Sequence, residues 1–394
     1  MSGMDARQLR DLLEAAVGEP PHRVTVAAVR RRLIRRRVME AVAVAAVVVL
    51  IAGVGVAAAR VFGASAAGPS AISRAGPLRY YVQQSFGLGK LPPVVVRATA
   101  TGRVTSTVSC PQPGTQIPLQ GIAAAGNRMF FIDCQKIQKA GTKYTVTGSR
   151  IYRVRLTGSG QVSGYSLLPG GVLGRHRLEA ITATLNGSEV AVTLGPAALE
   201  EFSSPSAPAD VLVINTKTGA RAVWRGGPKV FNAGGLTFTT NGRELEFLGT
   251  TRCPQAKRSR CEELRAISPA TAGGQLDNSR LLLQLSALAR SHGEYIEPAI
   301  ITTGGSTLTA VVQRDQYSIW VVQYSAATGR QLRVLYKMRT GSGFFYRFLS
   351  SDPTGRYLLF NAGPTSGTLN GWIDHGRLIP LKPANGSNIF YEIW

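Results

Sequence analysis

The stretch of sequence that decides the fold is Val211-Leu212-Val213-Ile214-Asn215-Thr216-Lys217-Thr218-Gly219, an apolar strand that ends in a Thr-Gly turn. The same strand-plus-turn unit recurs along the chain. Its other copies are Val94–Gly102, Ile151–Gly158 and Ile319–Gly329, with weaker ones at Leu264–Gly273 and Gly371–Gly376. The closing glycines follow one another at intervals of 56, 61, 54, 56 and 47 residues. The repeat period is therefore about 55 residues.

A second unit, a turn followed by a short apolar strand, alternates with the first. Its copies are Ala125–Phe131, Asn186–Val192, Asn241–Phe247, Gly304–Ala310 and Thr354–Phe360. Asn and Gly tolerate the positive φ that a tight hairpin requires. Two hairpins per period predict an all-β fold, a six-bladed β-propeller of four-stranded antiparallel blades. Residues Asn388–Trp394 remain over, and we expect them to form a strand that completes the first blade.

The region from about Leu78 to Trp394 resembles the WD40-like and TolB-like propellers of bacteria. The resemblance is carried by the turns Asn186-Gly187, Asn241-Gly242 and Pro353-Thr354-Gly355 and by the strand Asp210–Gly219. No Gly-His…Trp-Asp pair recurs, so the chain departs from the eukaryotic WD40 pattern. The richness in Arg, Ala, Val and Gly is typical of a high-GC, actinobacterial-type genome. The resemblance implies a fold and says little about function.

One segment, Ala41–Ala59, contains nineteen residues without a charge. As a helix it is about 28 Å long, close to the hydrocarbon thickness of a bilayer. The arginines lie before it, at Arg30, Arg31, Arg32, Arg35, Arg36 and Arg37. The positive-inside rule then predicts a single-pass protein of the cell membrane. We expect residues 1–40 to form a short helical cytoplasmic tail, 41–59 a signal-anchor helix, 60–77 a linker and 78–394 an extracytoplasmic propeller.

Alternative interpretations of this N-terminal region stay open. Ala64-Ser65-Ala66 matches a signal-peptide cleavage site, although the apolar stretch is longer than the usual signal peptide core. The arginine cluster could bind nucleic acid, but beside an apolar segment it is more often a topology signal. The leucines of the tail, Leu9, Leu12 and Leu13, recur at helical spacing. They could dock a cytoplasmic partner or lie on the inner leaflet.

The net charge of the chain is +23, which ordinarily suggests nucleic acid as a partner. An extracytoplasmic position for the propeller removes that partner, and it makes disulfides stable. Of the three possible pairings of four cysteines we expect Cys110 with Cys134 and Cys253 with Cys261. A zinc site is the competing interpretation, but the sequence contains no C-x-x-C spacing.

The long insertions fall between the second and third strands of the blades. They are Asp133–Ser149, Gly195–Ala209, Gly249–Glu262 and Asn361–Asn370. In a propeller these loops emerge at the same end as the connections between blades, where rigid scaffolds often carry binding residues. The candidate ligand-binding residues at this end are Lys136, Lys139, Lys143, His176, Arg252, Lys257, Arg258, Arg260 and His292. A basic rim could attract an anionic envelope polymer, anionic lipid or an acidic protein. Alternatively, the loops could have no role in binding.

No catalytic motif, cofactor site or metal site is recognisable in the sequence. We therefore expect a non-enzymatic binding or sensing module for a protein or an envelope polymer. One alternative is a propeller enzyme of the lyase, lactonase or hydrolase type, with His176, His292 and Glu294 meeting at the mouth of the channel. The other alternative is a transmembrane regulator that signals through its cytoplasmic tail.

Overall fold

The structure is a computed structural model of the chain. It describes residues 78–85, 94–118, 120–140, 143–197, 208–239, 241–252, 260–285, 295–303, 307–315, 317–339, 346–351, 357–363, 369–374, 377–381 and 390–393. The predicted tail, membrane segment and linker lie outside these residues. Within the described part of the chain, no helix is long and apolar enough to cross a membrane.

The described residues form six antiparallel blades. Blade 1 contains the first three strands of the chain, which are β1 (Tyr80–Ser85), β2 (Val94–Ala98) and β3 (Val104–Val108). Blade 2 has β4 (Thr115–Gln116), β5 (Ile122–Ala124), β6 (Met129–Ala140), β7 (Lys143–Leu156) and β8 (Val162–Gly174). Blade 3 has β9 (Arg177–Ala183), β10 (Glu189–Gly195), β11 (Asp210–Asn215) and β12 (Arg221–Arg225).

The second half of the ring continues in the same way. Blade 4 has β13 (Val230–Phe238), β14 (Leu245–Arg252), β15 (Arg260–Ile267) and β17 (Arg280–Gln284). Between β15 and β17 the chain forms β16 (Gly273–Gln275) and a 3₁₀ turn (Leu276–Asn278). Blade 5 has β18 (Tyr295–Thr303), β19 (Thr307–Asp315), β20 (Ser318–Ser325) and β21 (Gln331–Arg339). Blade 6 has β22 (Tyr346–Ser351), β23 (Leu358–Gly363), β24 (Leu369–Asp374) and β25 (Arg377–Pro380), and the chain ends in β26 (Phe390–Ile393).

The last strand closes the ring, because β26 pairs antiparallel with β1 and becomes the innermost strand of blade 1. The pairs run from Val82 with Ile393 to Ser85 with Phe390. The innermost strands β26, β5, β9, β13, β18 and β22 touch one another in that order, and β22 touches β26 again. The prediction that the C-terminal residues complete the first blade is confirmed, and so is the six-bladed fold.

Six hydrophobic clusters hold the blades together, one at each boundary between neighbouring blades. In the strand segment Val211–Ile214, both faces are covered by neighbouring blades, which is why the recurrent strands are apolar at every position. All four side chains are buried, with Leu212 and Ile214 facing blade 2 and Val211 and Val213 facing blade 4. No blade can bury both of its faces alone, so the apolar side chains require a ring of neighbours.

The tight turns follow the sequence prediction. Gly187 has a φ of 66° and Gly219 a φ of 75°, the left-handed conformation that these hairpins need. The interpretation of Gly273 as another turn glycine is wrong. It begins β16, which pairs parallel with β12 of blade 3 and extends that blade to five strands. A Cβ at Gly273 would collide with the carbonyl of Val223, so glycine permits this close backbone approach.

The insertion predicted as the loop Asp133–Ser149 is a continuation of the blade. Strands β6 and β7 stay paired as far as Ala140 and Lys143. The hairpin therefore runs beyond the rest of blade 2 as a two-stranded ribbon. The sequence obscured this because Lys, Gln, Thr and Gly replace the apolar residues once the strands leave the core.

Candidate functional site

The strand order gives the propeller two distinct ends. At one end, here the turn rim, lie the hairpin turns that include Asn127, Gly187 and Gly219. At the other end, here the insertion rim, lie the β6–β7 hairpin and connections between blades such as Arg175-His176. Of the candidate binding residues predicted from the sequence, the ones that the structure describes lie at the insertion rim: Lys136, Lys139, Lys143, His176, Arg252 and Arg260. The candidate site is therefore the insertion rim, above all that of blade 2.

The blade-two ribbon consists of residues 137–140 and 143–148. Its register pairs Ile137 with Val146, Lys139 with Tyr144 and Ala140 with Lys143. Next to its base, the short strand β4 pairs with Gln135 and Lys136. The backbone N–H of Val146 donates to the carbonyl of Ala197 in blade 3 at 2.9 Å. The ribbon is thus attached to two blades at its base.

A disulfide joins Cys110, which follows β3 of blade 1, to Cys134 in β6. The predicted pairing of these two cysteines is confirmed. Closing a loop of 24 residues stabilises a fold by roughly 3 kcal/mol through the unfolded chain. The bond also ties the base of the ribbon to the neighbouring blade. Cys261 is disulfide-bonded as well, and its predicted partner Cys253 lies outside the described residues.

Directly below the ribbon, the carboxyl of Asp133 is fully buried, with an exposed fraction of 0%. The hydroxyl of Ser149 donates to its Oδ1 at 2.6 Å, and Nε2 of Gln135 donates to Oδ2 at 2.7 Å. Backbone amides of Cys134 and Arg150 add further hydrogen bonds. Burial nevertheless dominates and raises the pKa of Asp133 to about 7. The charged and neutral forms of this carboxyl are therefore close in free energy near neutral pH.

A second buried carboxyl, Glu246, lies in β14 of blade 4 and is 1% exposed. Burial, aided by the nearby Glu244, raises the pKa of Glu246 to about 7 while Arg280 opposes the shift. Sequence reasoning missed both carboxyls. The signal was present in each case, since a single acid stands next to apolar residues of a strand, as in Phe130-Phe131-Ile132-Asp133.

The structure describes the side chains of only part of the predicted basic rim. Lys136 and Lys139 are exposed on the hairpin, and Nζ of Lys139 lies 5.3 Å from the ring centroid of Tyr144. Tyr144 itself is 42% exposed. Lys143, Arg252 and Arg260 occupy strand ends whose side chains are not described, and Lys257, Arg258 and His292 lie outside the described residues.

His176 lies exposed on the connection between β8 and β9. The other members of the predicted catalytic set, His292 and Glu294, lie outside the described residues, so their convergence with His176 stays a prediction. Among the residues that the structure describes, no group of three His, Cys, Asp or Glu side chains is arranged to hold a metal ion.

Comparison with known proteins is informative at the level of fold. No protein-family profile matches the chain, and no curated protein matches it by sequence. Among solved structures, TolB from Acinetobacter baumannii is similar with a TM-score of 0.50 at 11% sequence identity, over 80% of this chain and 66% of that one. A prolyl endopeptidase matches with a TM-score of 0.37 at 14% identity, over 68% of this chain.

The chain spans 36% of the length of that prolyl endopeptidase. The Cps50 (Swd1) β-propeller domain of Myceliophteria thermophila matches with a TM-score of 0.38 at 13% identity, over 73% of this chain and 78% of that domain. Identities this low are informative about architecture alone. Together with the strand pairing, the likeness to TolB identifies residues 78–394 as a six-bladed β-propeller.

Proposed function

We propose that the protein is a non-enzymatic interaction module, a propeller held at the outer face of the cell membrane by residues 41–59. Its insertion rim binds a protein or a polymer of the cell envelope. The observation that carries the proposal is the blade-two ribbon, an extension of the sheet beyond the hydrophobic clusters that join blade 2 to its neighbours. Exposed Lys136, Lys139 and Tyr144 on a support held by a disulfide are typical of a preorganised binding surface.

Membrane attachment rests on the sequence. The uncharged segment Ala41–Ala59 follows six arginines, and the propeller begins within 20 residues of its end. The disulfide between Cys110 and Cys134 supports an oxidising compartment for the propeller. The small, turn-rich composition of residues 60–77 is typical of a linker between the apolar segment and the propeller.

Capture from an envelope fraction tests the proposed function. The full chain in detergent is compared with the double variant K139A/Y144A on the ribbon and with the control K217A/R243A, whose exposed residues lie on the turn rim. We expect the native chain and the control to retain the same envelope component and the ribbon variant to lose it. Retention by all three proteins, or by none, would refute binding through this rim.

A further inference from the structure

The positive charge of the propeller is concentrated in its first two blades. Residues 78–176, which form blades 1 and 2 apart from β26, contain 12 Lys and Arg and a single acid, Asp133, a net charge of +11. Residues 177–394 contain 22 Lys and Arg and 16 acids, a net charge of +6. Asp133 is fully buried, so residues 78–176 contribute no carboxylate to the surface of the propeller.

The strand register gathers several of these cations at the insertion rim of blade 2. Ser149 at the base of the ribbon pairs with Gly174, which immediately precedes Arg175. Arg150 pairs with Cys134, and Cys134 lies two residues before Lys136 in β6. The outermost of these cations, Lys136, Lys139 and Arg175, are exposed, and Arg150 is half-buried.

These four cations have no ion-pair partner among the described residues. Cations elsewhere do have one, as Arg177 has Glu179, Arg265 has Glu263 and Arg280 has Glu244. An unbalanced group of cations on a rigid support attracts a polyanion, because few internal contacts must break and the counterions are released on binding.

The first described residues of the chain, Leu78 and Arg79, are held by hydrogen bonds to two turns. Leu78 accepts a hydrogen bond from the hydroxyl of Thr99, in the turn that follows β2. The N–H of Arg79 donates to Asn127 in the turn before β6. Both turns belong to the turn rim. Leu78 and Arg79 therefore lie at the end of the propeller opposite the blade-two ribbon.

The shape of the site favours a linear polymer. Lys136 and Lys139 are about 10 Å apart along one strand. At the base of the ribbon, the guanidinium groups of Arg150 and Arg175 can each present two parallel donors to a phosphate. The exposed ring of Tyr144 beside Lys139 offers a flat surface on which a sugar ring can stack.

We propose that the insertion rim of blade 2 binds a linear, phosphate-bearing polymer of the cell envelope. The inference rests on the proposed function and specifies the class of its ligand. The polymer's phosphates contact Lys136, Lys139, Arg150 and Arg175, and the ribbon lies along the polymer chain.

Binding of the detergent-solubilised full chain to poly(glycerol phosphate) tests this proposal. The charge reversal K136E/K139E is compared with K217E/R243E, which changes the net charge equally on the turn rim. We expect the first variant to lose about tenfold or more in affinity and the second to change far less, with binding that weakens as salt rises. The milder K136Q/K139Q variant, checked by circular dichroism, guards against a misfolded ribbon.

Equal losses in the two charge-reversed variants would overturn the proposal in favour of nonspecific attraction, and so would no loss in either. Tighter binding to polyglutamate, to phosphatidylglycerol vesicles or to a single-stranded oligonucleotide through the same lysines would overturn it in favour of an acidic protein, a lipid surface or nucleic acid. The proposed function fails separately, if the native chain captures nothing from the envelope fraction. If the native chain captures an envelope component that poly(glycerol phosphate) does not displace, the proposed class of ligand is wrong and the proposed function still stands.

Discussion

Val82 in the first strand of the propeller pairs with Ile393 in the last, and this pairing joins the two ends of the chain within one blade. As a result, β1 is paired on both sides and has no free edge at the point where the ring closes. The closure is the physical basis of the fold, because the cluster between blades 6 and 1, which contains Tyr81 and Leu359, depends on both blades being complete.

Deletion of the last seven residues, 388–394, should therefore destabilise the whole propeller. The deletion removes β26 and exposes the edge of β1, so we expect aggregation and the loss of a cooperative melting transition. Light scattering and calorimetry measure the two effects. A control deletion of residues 1–28 should leave the transition unchanged. A soluble truncated chain that melts at the native temperature would contradict the closure.

Removal of the disulfide at the base of the ribbon should reduce stability moderately. For the variant C110A/C134A we expect a loss on the order of 3 kcal/mol in the free energy of unfolding, because the unfolded chain regains the freedom of a 24-residue loop. Chemical denaturation under oxidising conditions measures the loss. Native chain treated with reductant should behave like the variant, and an unchanged unfolding midpoint would show that the bond contributes nothing.

The two buried carboxyls should make the propeller less stable as the pH rises from about 4 to about 7. The folded pKa values of Asp133 and Glu246, about 7, lie above the ordinary values of 3.8 and 4.5, so the folded state binds their protons more tightly. Their stabilising effect is complete below the ordinary pKa values and lost as the pH passes the folded ones.

Melting temperatures between pH 5 and pH 8 test this dependence. We expect the variants D133N and E246Q to flatten the slope, each by about half, because a neutral amide cannot ionise. An exposed carboxyl provides the control, and D315N should retain the native slope in this range because the pKa of Asp315 is lowered by hydrogen bonds from Tyr317 and Ser318. If D133N and E246Q both retain the native dependence of melting temperature on pH, then Asp133 and Glu246 are not its cause.

The apolar segment Ala41–Ala59 should anchor the chain with its C-terminal domain outside. We expect the full chain to resist extraction from membranes at alkaline pH, and protease added to intact spheroplasts to remove the propeller. Two arginines in the segment, V48R/L50R, should release the chain because each costs about 3 kcal/mol at the centre of a bilayer. A native chain in the soluble fraction, or a propeller protected from protease, would contradict the anchor.

Sequence patterns predicted the ring because its signals are local. The apolar run Val211–Ile214 and the turns at Gly187 and Gly219 repeat with a constant period, and each reports on a single hairpin. The β16 strand could not be predicted, because Gly273–Gln275 pairs with a strand 50 residues earlier and its own residues are not strand-forming.

The candidate site was predictable in its location and less so in its form. The charge of Lys136 and Lys139 was evident from the sequence, but their position on the paired β6–β7 hairpin depends on backbone hydrogen bonds that polar side chains do not signal. The burial of Asp133 depends on contact with a neighbouring blade, which no local pattern reveals.

The central claim, that the insertion rim of blade 2 is the interaction surface, is tested most directly by photocrosslinking in intact cells. A photoreactive amino acid replaces Tyr144 on the ribbon in one protein and Lys217 on the turn rim in another, both exposed positions. We expect a discrete crosslinked species from position 144 and none from position 217. A species from position 217 alone, or from neither position, would contradict the claim.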